Sequence, residues 1–147
     1  MINEVIMLVE DNPDDEALAI RALTKSVVTS RIVVARDGVE ALSFLFGGNG
    51  NAPIIPAVIL MDLKLPKMNG IETLARIRAD KRTCTLPVVM LTTSDEETDM
   101  ILSYKAGVNS YVRKPIDFAE FTSITAQLGV YWLGLNRRPQ ATTPIGN

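Results

Sequence analysis

Hydrophobic positions along the chain form two kinds of pattern, which alternate from one end to the other. Short continuous apolar runs occupy residues 4–10, 31–35, 57–61, 86–92 and 108–112. Between these runs, apolar residues recur every three or four positions. A short continuous run is typical of a strand buried on both faces, and the wider spacing is typical of a helix with one buried face. The pattern therefore predicts five strands, each followed by a helix.

Capping signals mark the beginnings of the predicted helices. Asn12 can cap the first helix, Pro13 suits its first position, and the acids at 14–16 complement the helix dipole. The later helices are predicted at 37–46, from about Gly70 to 80, at 94–107 with Gly107 as the C-cap, and from Asp117 to 135. Predicted buried positions of the first helix are Ala17, Ile20, Leu23 and Val27, and those of the last are Phe118, Phe121, Ile124, Leu128, Tyr131 or Trp132, and Leu135.

Alternation of strands and helices predicts an α/β fold, a doubly wound (βα)5 domain with a parallel sheet covered on both faces. Right-handed crossovers restrict the strand order, and the flavodoxin-like order 2-1-3-4-5 is the commonest for five strands. Strands one and three are neighbours in that order. The crevice beyond their carboxyl ends is where such sheets bind ligands.

Length and charge add limits to this picture. The 147 residues predict one domain over 1–135, followed by a disordered tail over 136–147 that is rich in Pro, Gly, Thr and Asn. No apolar run approaches the roughly 18 residues of a membrane span, and no export signal is visible, so we expect a cytoplasmic protein without a membrane partner. Before the tail, 13 basic and 17 acidic side chains give a charge of -4, which offers no footprint for nucleic acid.

Histidine is absent from the chain, and Cys84 is the single cysteine. These counts exclude a Ser-His or Cys-His catalytic pair, a histidine zinc site and an internal disulfide bond. Any chemistry must therefore use carboxylates, lysine and hydroxyl groups.

Reactive side chains follow the predicted strands at the point where each strand ends. Glu10 and Asp11 follow the first strand, Asp62 the third, Thr92 ends the fourth, and Lys114 follows the fifth. The carboxyl ends of parallel strands share one edge of the sheet, so these groups are expected to meet there. Clustered carboxylates repel one another, and a hard divalent ion such as Mg2+ would relieve that repulsion.

Such a set is chemically complete for phosphoryl transfer. Asp62 can accept a phosphoryl group and become an acyl phosphate. The Mg2+ ion, the Lys114 ammonium and the Thr92 hydroxyl can share the neutralisation of the phosphoryl oxygens.

Four motifs in this order closely resemble the response-regulator receiver domain of two-component signalling, over residues 4 to 128. They are LVEDN, ILMDLKLPKMNG, VVMLTTSD and SYVRKPID. The resemblance implies that Asp62 takes a phosphoryl group from the phosphohistidine of a sensor histidine kinase. It also implies that Glu10, Asp11, Asp62 and the Lys64 backbone carbonyl bind Mg2+.

Two further features follow from the same resemblance. Thr92 and Tyr111 would be a switch pair, and the peptide bond between Lys114 and Pro115 would be cis. The protein would then be a signalling switch rather than an enzyme, catalysing only its own phosphotransfer and dephosphorylation.

Finer motifs, EDNPDD, DGVEALSFL and VYWLGL, resemble stand-alone, chemotaxis-regulator-like regulators paired with phytochrome-type kinases. This resemblance implies a homodimer through the face of the fourth helix, fifth strand and fifth helix. It also implies a downstream protein partner, which the sequence does not identify. Tyr104, Tyr131 and Trp132 are candidates for this face, although packing against the core explains these rings equally well.

Two other functional classes remain open. A Mg2+-dependent aspartyl-phosphate hydrolase would use the same acids, but that family has a second acid two positions after the nucleophile, where this chain has Lys64. A phosphorylation-independent pseudo-receiver scaffold would be expected to lose the acid, hydroxyl or lysine. Asp62, Thr92 and Lys114 are all present.

Overall fold

The structure, a computed structural model, describes residues 4–26, 31–48 and 50–139. Within these ranges, five strands alternate with five helices: β1 (Val5–Val9), α1 (Pro13–Ser26), β2 (Arg31–Ala35), α2 (Gly38–Phe46), β3 (Val58–Met61), α3 (Gly70–Ala79), β4 (Val88–Thr92), α4 (Glu97–Lys105), β5 (Ser110–Arg113) and α5 (Phe118–Val130). A π-helical turn, Tyr131–Leu135, follows α5. The predicted succession of elements is confirmed. The last predicted helix, expected to end at 135, is divided into α5, which ends at Val130, and the π-helical turn. The other ends are displaced by up to three residues.

All five strands are parallel and lie in the order β2-β1-β3-β4-β5, which confirms the predicted topology. Val9, the last residue of β1, pairs with Ala35 on one side and Met61 on the other. Neighbouring strands therefore end at the same level. This register is what places the residues following β1 and β3 side by side.

Alternate residues of the strands supply two hydrophobic layers, one on each face of the sheet. On one face, residues such as Met7, Ile59 and Met90 pack against α2 and α3. On the other, residues such as Leu8 and Leu60 pack against α1 and α5. Burial on both faces explains why the strands are continuous apolar runs rather than alternating ones.

The predicted buried positions of α1 and α5 are partly wrong. Ala17 is exposed in α1, while Ala19, Ala22 and Leu23 are buried. In α5, Phe118 and Leu135 beyond it are 70% and 69% exposed, whereas the buried positions are Phe121, Thr125 and Gly129. Small residues predominate because α1 and α5 pack against each other on this face, so size as well as hydrophobicity selects the buried positions.

Two of the predictions fall wholly or partly on residues that the structure does not describe. Val27, predicted as a buried position of α1, and residues 140–147 of the predicted tail lie outside the described residues. Asn136–Pro139 are described and irregular, and Arg138 Nη2 lies 2.6 Å from Glu4 Oε2. Within the described ranges, no helix has the length and apolar character needed to cross a bilayer.

Candidate functional site

Backbone hydrogen bonds fix the residues that follow each strand. Glu10 N donates to Ala35 O at 2.9 Å, and Asp62 N donates to Val9 O at 3.0 Å. Lys114 N donates in the same way to Thr92 O at 2.6 Å. Strand pairing thus continues one residue beyond the strands, and it holds the Glu10, Asp62 and Lys114 side chains on a rigid frame at one sheet edge.

The Lys114 ammonium lies at the centre of this group. Its Nζ is 2.6 Å from Glu10 Oε1, 2.9 Å from Asp15 Oδ2 and 3.2 Å from Asp62 Oδ2, and its side chain is only 5% exposed. Burial alone would lower the pKa of Lys114, but the hydrogen bonds to Glu10 and Asp15 and the charge of Asp62 raise it above its ordinary value. Lys114 is therefore a charged donor at neutral pH.

Glu10 is the most deeply buried acid of the group. Loss of hydration raises the pKa of Glu10 to about 7, against the opposing influence of Lys114, and the charge of Asp62 adds to the increase. Like-charge repulsion between neighbouring carboxylates contributes to this shift, as expected where acids outnumber cations.

Glu10, Asp11 and Asp62 form a cluster in which one carboxylate oxygen from each residue lies within 4.8 Å of the others. Asp11 is exposed and Asp62 partly buried, so the cluster opens to solvent on one side. With Asp15, the site holds four carboxylates, three of which (Glu10, Asp15 and Asp62) contact the Lys114 ammonium. Excess negative charge carried by oxygen donors is the environment that a hard divalent cation requires, so the residues present fit such an ion.

Lys64 lies next to the predicted acceptor. Its backbone N–H donates to Asp62 Oδ1 at 3.4 Å, and its side chain is exposed. The main chain of Lys64 is thus at the site, while the predicted role of its carbonyl in metal binding stays a prediction.

The loop between β3 and α3 explains the glycine of the MNG motif. Gly70 N donates to Leu63 O at 2.7 Å, and a Cβ atom at Gly70 would lie 2.6 Å from the Asp62 carbonyl oxygen. Asn69 and Glu72 form a reciprocal capping box at the start of α3. Helix α3 therefore begins directly against the backbone of Asp62, and any side chain at Gly70 would displace it.

Ser94 connects the predicted switch residues. Thr92 Oγ1, fully buried, accepts a hydrogen bond from Ser94 N at 3.3 Å, and Tyr111 Oη donates to Ser94 O at 3.2 Å. Ser94 Oγ donates to Asp99 Oδ2 in α4 at 2.7 Å. The sequence predicted Thr92 and Tyr111 as a pair but did not predict the Ser94 hydrogen bonds that join them to α4.

The prediction of a cis peptide bond between Lys114 and Pro115 is wrong: this bond is trans, and no peptide bond in the described ranges is cis. The trans form of an isolated X-Pro bond is favoured by about 0.5–1 kcal/mol. Lys114 reaches all three carboxylates with this bond in the trans form, so the cluster geometry does not depend on the cis isomer.

The three candidate aromatic residues for an interface differ in exposure. Tyr104 in α4 is 51% exposed and Tyr131 is 47% exposed. Trp132 packs partly buried against the core layer that includes Leu60 and Phe121. The core explanation thus holds for Trp132, while a dimer through the other two residues stays a prediction.

Asp15 is the site residue that sequence reasoning assigned to the helix dipole instead. A signal was present, because Asp15 is the third residue of α1, and side chains at that position turn back towards the residues before the helix. In this fold those residues are Glu10 and Asp11.

Comparisons with known proteins agree with the geometry. The family model described as the response regulator receiver domain matches residues 6–126. A curated relative, the probable methanogenesis regulatory protein FilR2 of Methanothrix harundinacea (strain 6Ac), is 40% identical over 92% of this chain and 87% of its own length.

Two solved structures are similar over nearly the whole chain. The phosphorylated cyanobacterial phytochrome response regulator RcpA has a TM-score of 0.88 at 37% identity, covering 95% of this chain and 100% of that one. The Mn(2+)-bound form of response regulator Rcp1 has a TM-score of 0.87 at 36% identity, covering 93% of this chain and 99% of that one.

Proposed function

Because the chain belongs to the response regulator receiver family, whose general function is to accept a phosphoryl group, we propose that it is a single-domain response regulator with Asp62 as the acceptor. The donor is the phosphohistidine of a sensor histidine kinase, and the reaction depends on Mg2+. One observation carries the proposal: the Lys114 ammonium lies 3.2 Å from Asp62 Oδ2 beside a cluster of oxygen ligands.

The transfer requires few protein groups. A carboxylate oxygen of Asp62 bonds to phosphorus, the phosphorus–nitrogen bond of the donor breaks, and the donor imidazole keeps the electron pair and takes a proton from water. Lys114 donates hydrogen bonds to the phosphoryl oxygens, and so does the Thr92 hydroxyl. A bound Mg2+, held by Glu10, Asp11, Asp62 and the Lys64 carbonyl, would supply the remaining charge neutralisation.

Switching would begin at the contacts of Thr92. To reach a phosphoryl group, its hydroxyl leaves the Ser94 N–H, which is 3.3 Å away in the structure. Ser94 also accepts from Tyr111 and donates to Asp99 of α4, so the change passes to the Tyr111 ring and to the face formed by α4, β5 and α5. We propose that this face binds a downstream protein or a second copy of the chain.

Similarity to RcpA, a phytochrome response regulator by its description, supports a phytochrome-type kinase as the donor. We place the phosphoryl transfer in the cytoplasm, where ATP phosphorylates such kinases. We assign the receiver domain to residues 1–135 and a C-terminal tail to residues 136–147. The Mn(2+)-bound form of Rcp1 supports a divalent ion at the acid cluster. A hydrolase is less well supported, since the exposed Lys64 occupies the place of that family's second acid.

The proposal is tested by incubating the purified protein with acetyl phosphate, with Mg2+ or with EDTA, and measuring phosphoryl incorporation by intact mass spectrometry. We expect a single phosphoryl group per chain with Mg2+, none with EDTA, and none in Asp62→Asn. Asp14→Asn removes an exposed acid of the neighbouring helix and should behave as the wild type. Incorporation that persists in Asp62→Asn would place the acceptor elsewhere, and sustained turnover of phosphate esters would favour the hydrolase.

A further inference from the structure

Asp15 contributes a fourth carboxylate to the site, and neither phosphoryl acceptance nor metal binding as proposed above uses it. Its Oδ2 lies 2.9 Å from Lys114 Nζ, and its side chain is 28% exposed. Asn12 Oδ1 accepts a hydrogen bond from Asp15 N at 3.0 Å, which fixes the backbone of Asp15 in the capped first turn of α1. The contact therefore joins α1 to the lysine that follows β5.

Donors and acceptors around Lys114 are equal in number. An ammonium group has three N–H donors, and Glu10, Asp15 and Asp62 each provide one acceptor within 3.2 Å. Two of these acceptors have a second role in the proposed function. Glu10 belongs to the acid cluster, and Asp62 belongs to it and is the phosphoryl acceptor. Asp15 lies outside that cluster, so its contact can persist while the other two change.

We propose that Asp15 is a positioning residue for Lys114: it holds the ammonium on the α1 side of the site, so that one of its N–H groups stays directed at the phosphoryl position. This inference rests on the proposed function, because it assigns Lys114 to the phosphoryl group. The ordered α1 cap and the short Asp15–Lys114 contact carry it. Without the contact to Asp15, the position of the Lys114 ammonium would depend only on Glu10 and the phosphoryl oxygens.

The test compares Asp15→Ala and Asp15→Asn with the control Asp14→Ala, which removes the exposed neighbouring carboxylate. The first readout is the rate of phosphorylation by acetyl phosphate at saturating Mg2+. We expect Asp15→Ala to be slower by about 10-fold, the scale typical for loss of a partner that orients an active-site group. Asp15→Asn keeps an oxygen acceptor at the same place and should recover part of the rate, while Asp14→Ala should match the wild type.

The second readout does not need phosphorylation. An ordered ammonium gives a side-chain 1H–15N NMR signal, and the Lys114 signal is assigned by its disappearance in Lys114→Arg. In the metal-free protein, Asp15→Ala should broaden or abolish this signal, Asp15→Asn should shift it, and Asp14→Ala should leave it unchanged. Asp15→Asn is nearly isosteric and provides the test if the alanine variant is unstable.

Three results would overturn the inference: a wild-type rate in Asp15→Ala, an unchanged Lys114 signal in both variants, or an Asp15→Asn variant as slow as Asp15→Ala. The last result would assign the effect to charge rather than to position. A different pattern would contradict the proposed function instead. In that case the wild type takes no phosphoryl group, although its Lys114 signal still depends on Asp15.

Discussion

Lys114, which is buried, and Arg78, which is partly buried, are cations at opposite ends of the same sheet, and their partners differ. Lys114, at the carboxyl ends of the strands, contacts the carboxylates of Glu10, Asp15 and Asp62. Arg78, at the end of α3 near the amino ends of β4 and β5, contacts neutral oxygens. These are the carbonyls of Gly107 (2.9 Å), Leu86 (2.8 Å) and Cys84 (3.2 Å) and Asn109 Oδ1 (2.8 Å).

The two environments shift the pKa of their cation in opposite directions. Burial lowers the pKa of Arg78, because its hydrogen-bond partners are neutral oxygens rather than carboxylates. The pKa of Lys114 is raised in spite of burial, because carboxylates compensate its charge. Acids exceed cations around Lys114, whereas around Arg78 the hydrogen bonds are satisfied without net charge. At the Arg78 end the polar groups therefore satisfy one another, whereas at the Lys114 end an excess of negative charge remains that a metal ion can neutralise.

Arg78 also explains a glycine that the sequence indicated only as a helix end. Gly107 has φ +102°, and a Cβ atom there would lie 3.0 Å from Arg78 Nε. Gly107 N and Val108 N donate to the carbonyls of Tyr104 and Ser103, which closes α4 in a Schellman arrangement. The end of α4, the end of α3 and the start of β5 are thus joined through one guanidinium group.

The largest effect on stability is expected from Arg78→Ala. This change removes the donor to three backbone carbonyls and one of the two donors to Asn109 Oδ1, which keeps the hydrogen bond from Val88 N. The free energy of unfolding should therefore fall by about 3 kcal/mol. Urea unfolding measures it, once in EDTA and once in Mg2+. The loss should be the same in both, because the Arg78 contacts do not involve the acid cluster.

Arg76→Ala is the matched control, since Arg76 is an exposed residue of the same helix. Its free energy of unfolding should stay within about 0.5 kcal/mol of the wild type. An Arg78→Ala loss that disappears in Mg2+, or one no larger than that of Arg76→Ala, would remove the contrast between the two ends.

A smaller effect of opposite sign is expected from Asp11→Asn. Removing one exposed carboxylate from the crowded site should raise the free energy of unfolding of the metal-free protein by about 0.5 kcal/mol. Mg2+ at about 100 times its Kd should stabilise the wild type by about 2.7 kcal/mol, and Asp11→Asn should lose most of that gain at the same concentration.

Asp14→Asn again serves as the control, because it removes a nearby carboxylate outside the cluster. It should keep the full response to Mg2+. If Asp11→Asn were destabilised in EDTA, or if both variants responded to Mg2+ as the wild type does, the excess of negative charge at the site would not have the assigned role.

The sequence predicted the site residues that directly follow a strand, because the sheet order alone determines where such residues lie. Strands buried on both faces, capping residues and right-handed crossovers predicted the topology, and the topology brought Glu10, Asp11, Asp62 and Lys114 to one edge. These residues follow strands directly, so knowing the sheet order located them.

Contacts set by side-chain direction were beyond that reasoning. Asp15 and Arg78 lie on helices and contact residues that are distant along the chain. Asp15 is 99 residues from Lys114, and Arg78 is 31 residues from Asn109. Helical periodicity also misplaced Ala17 and Phe118. The faces of α1 and α5 that pack together include Ala19, Ala22, Thr125 and Gly129, whose small side chains give a weak apolar signal in the sequence. The trans bond before Pro115 differs from the expectation since nothing in the sequence itself fixes the isomer.

We propose that the acids at the carboxyl ends of β1 and β3 form one metal-dependent phosphoacceptor with Lys114. A crystal structure of the protein with Mg2+ and beryllofluoride, a phosphoryl mimic, tests it most directly. We expect beryllofluoride on Asp62, Mg2+ in contact with Glu10, Asp11 and Asp62, and Lys114 Nζ within hydrogen-bonding distance of a fluoride. Beryllofluoride on another carboxylate, or Mg2+ bound away from this cluster, would contradict it.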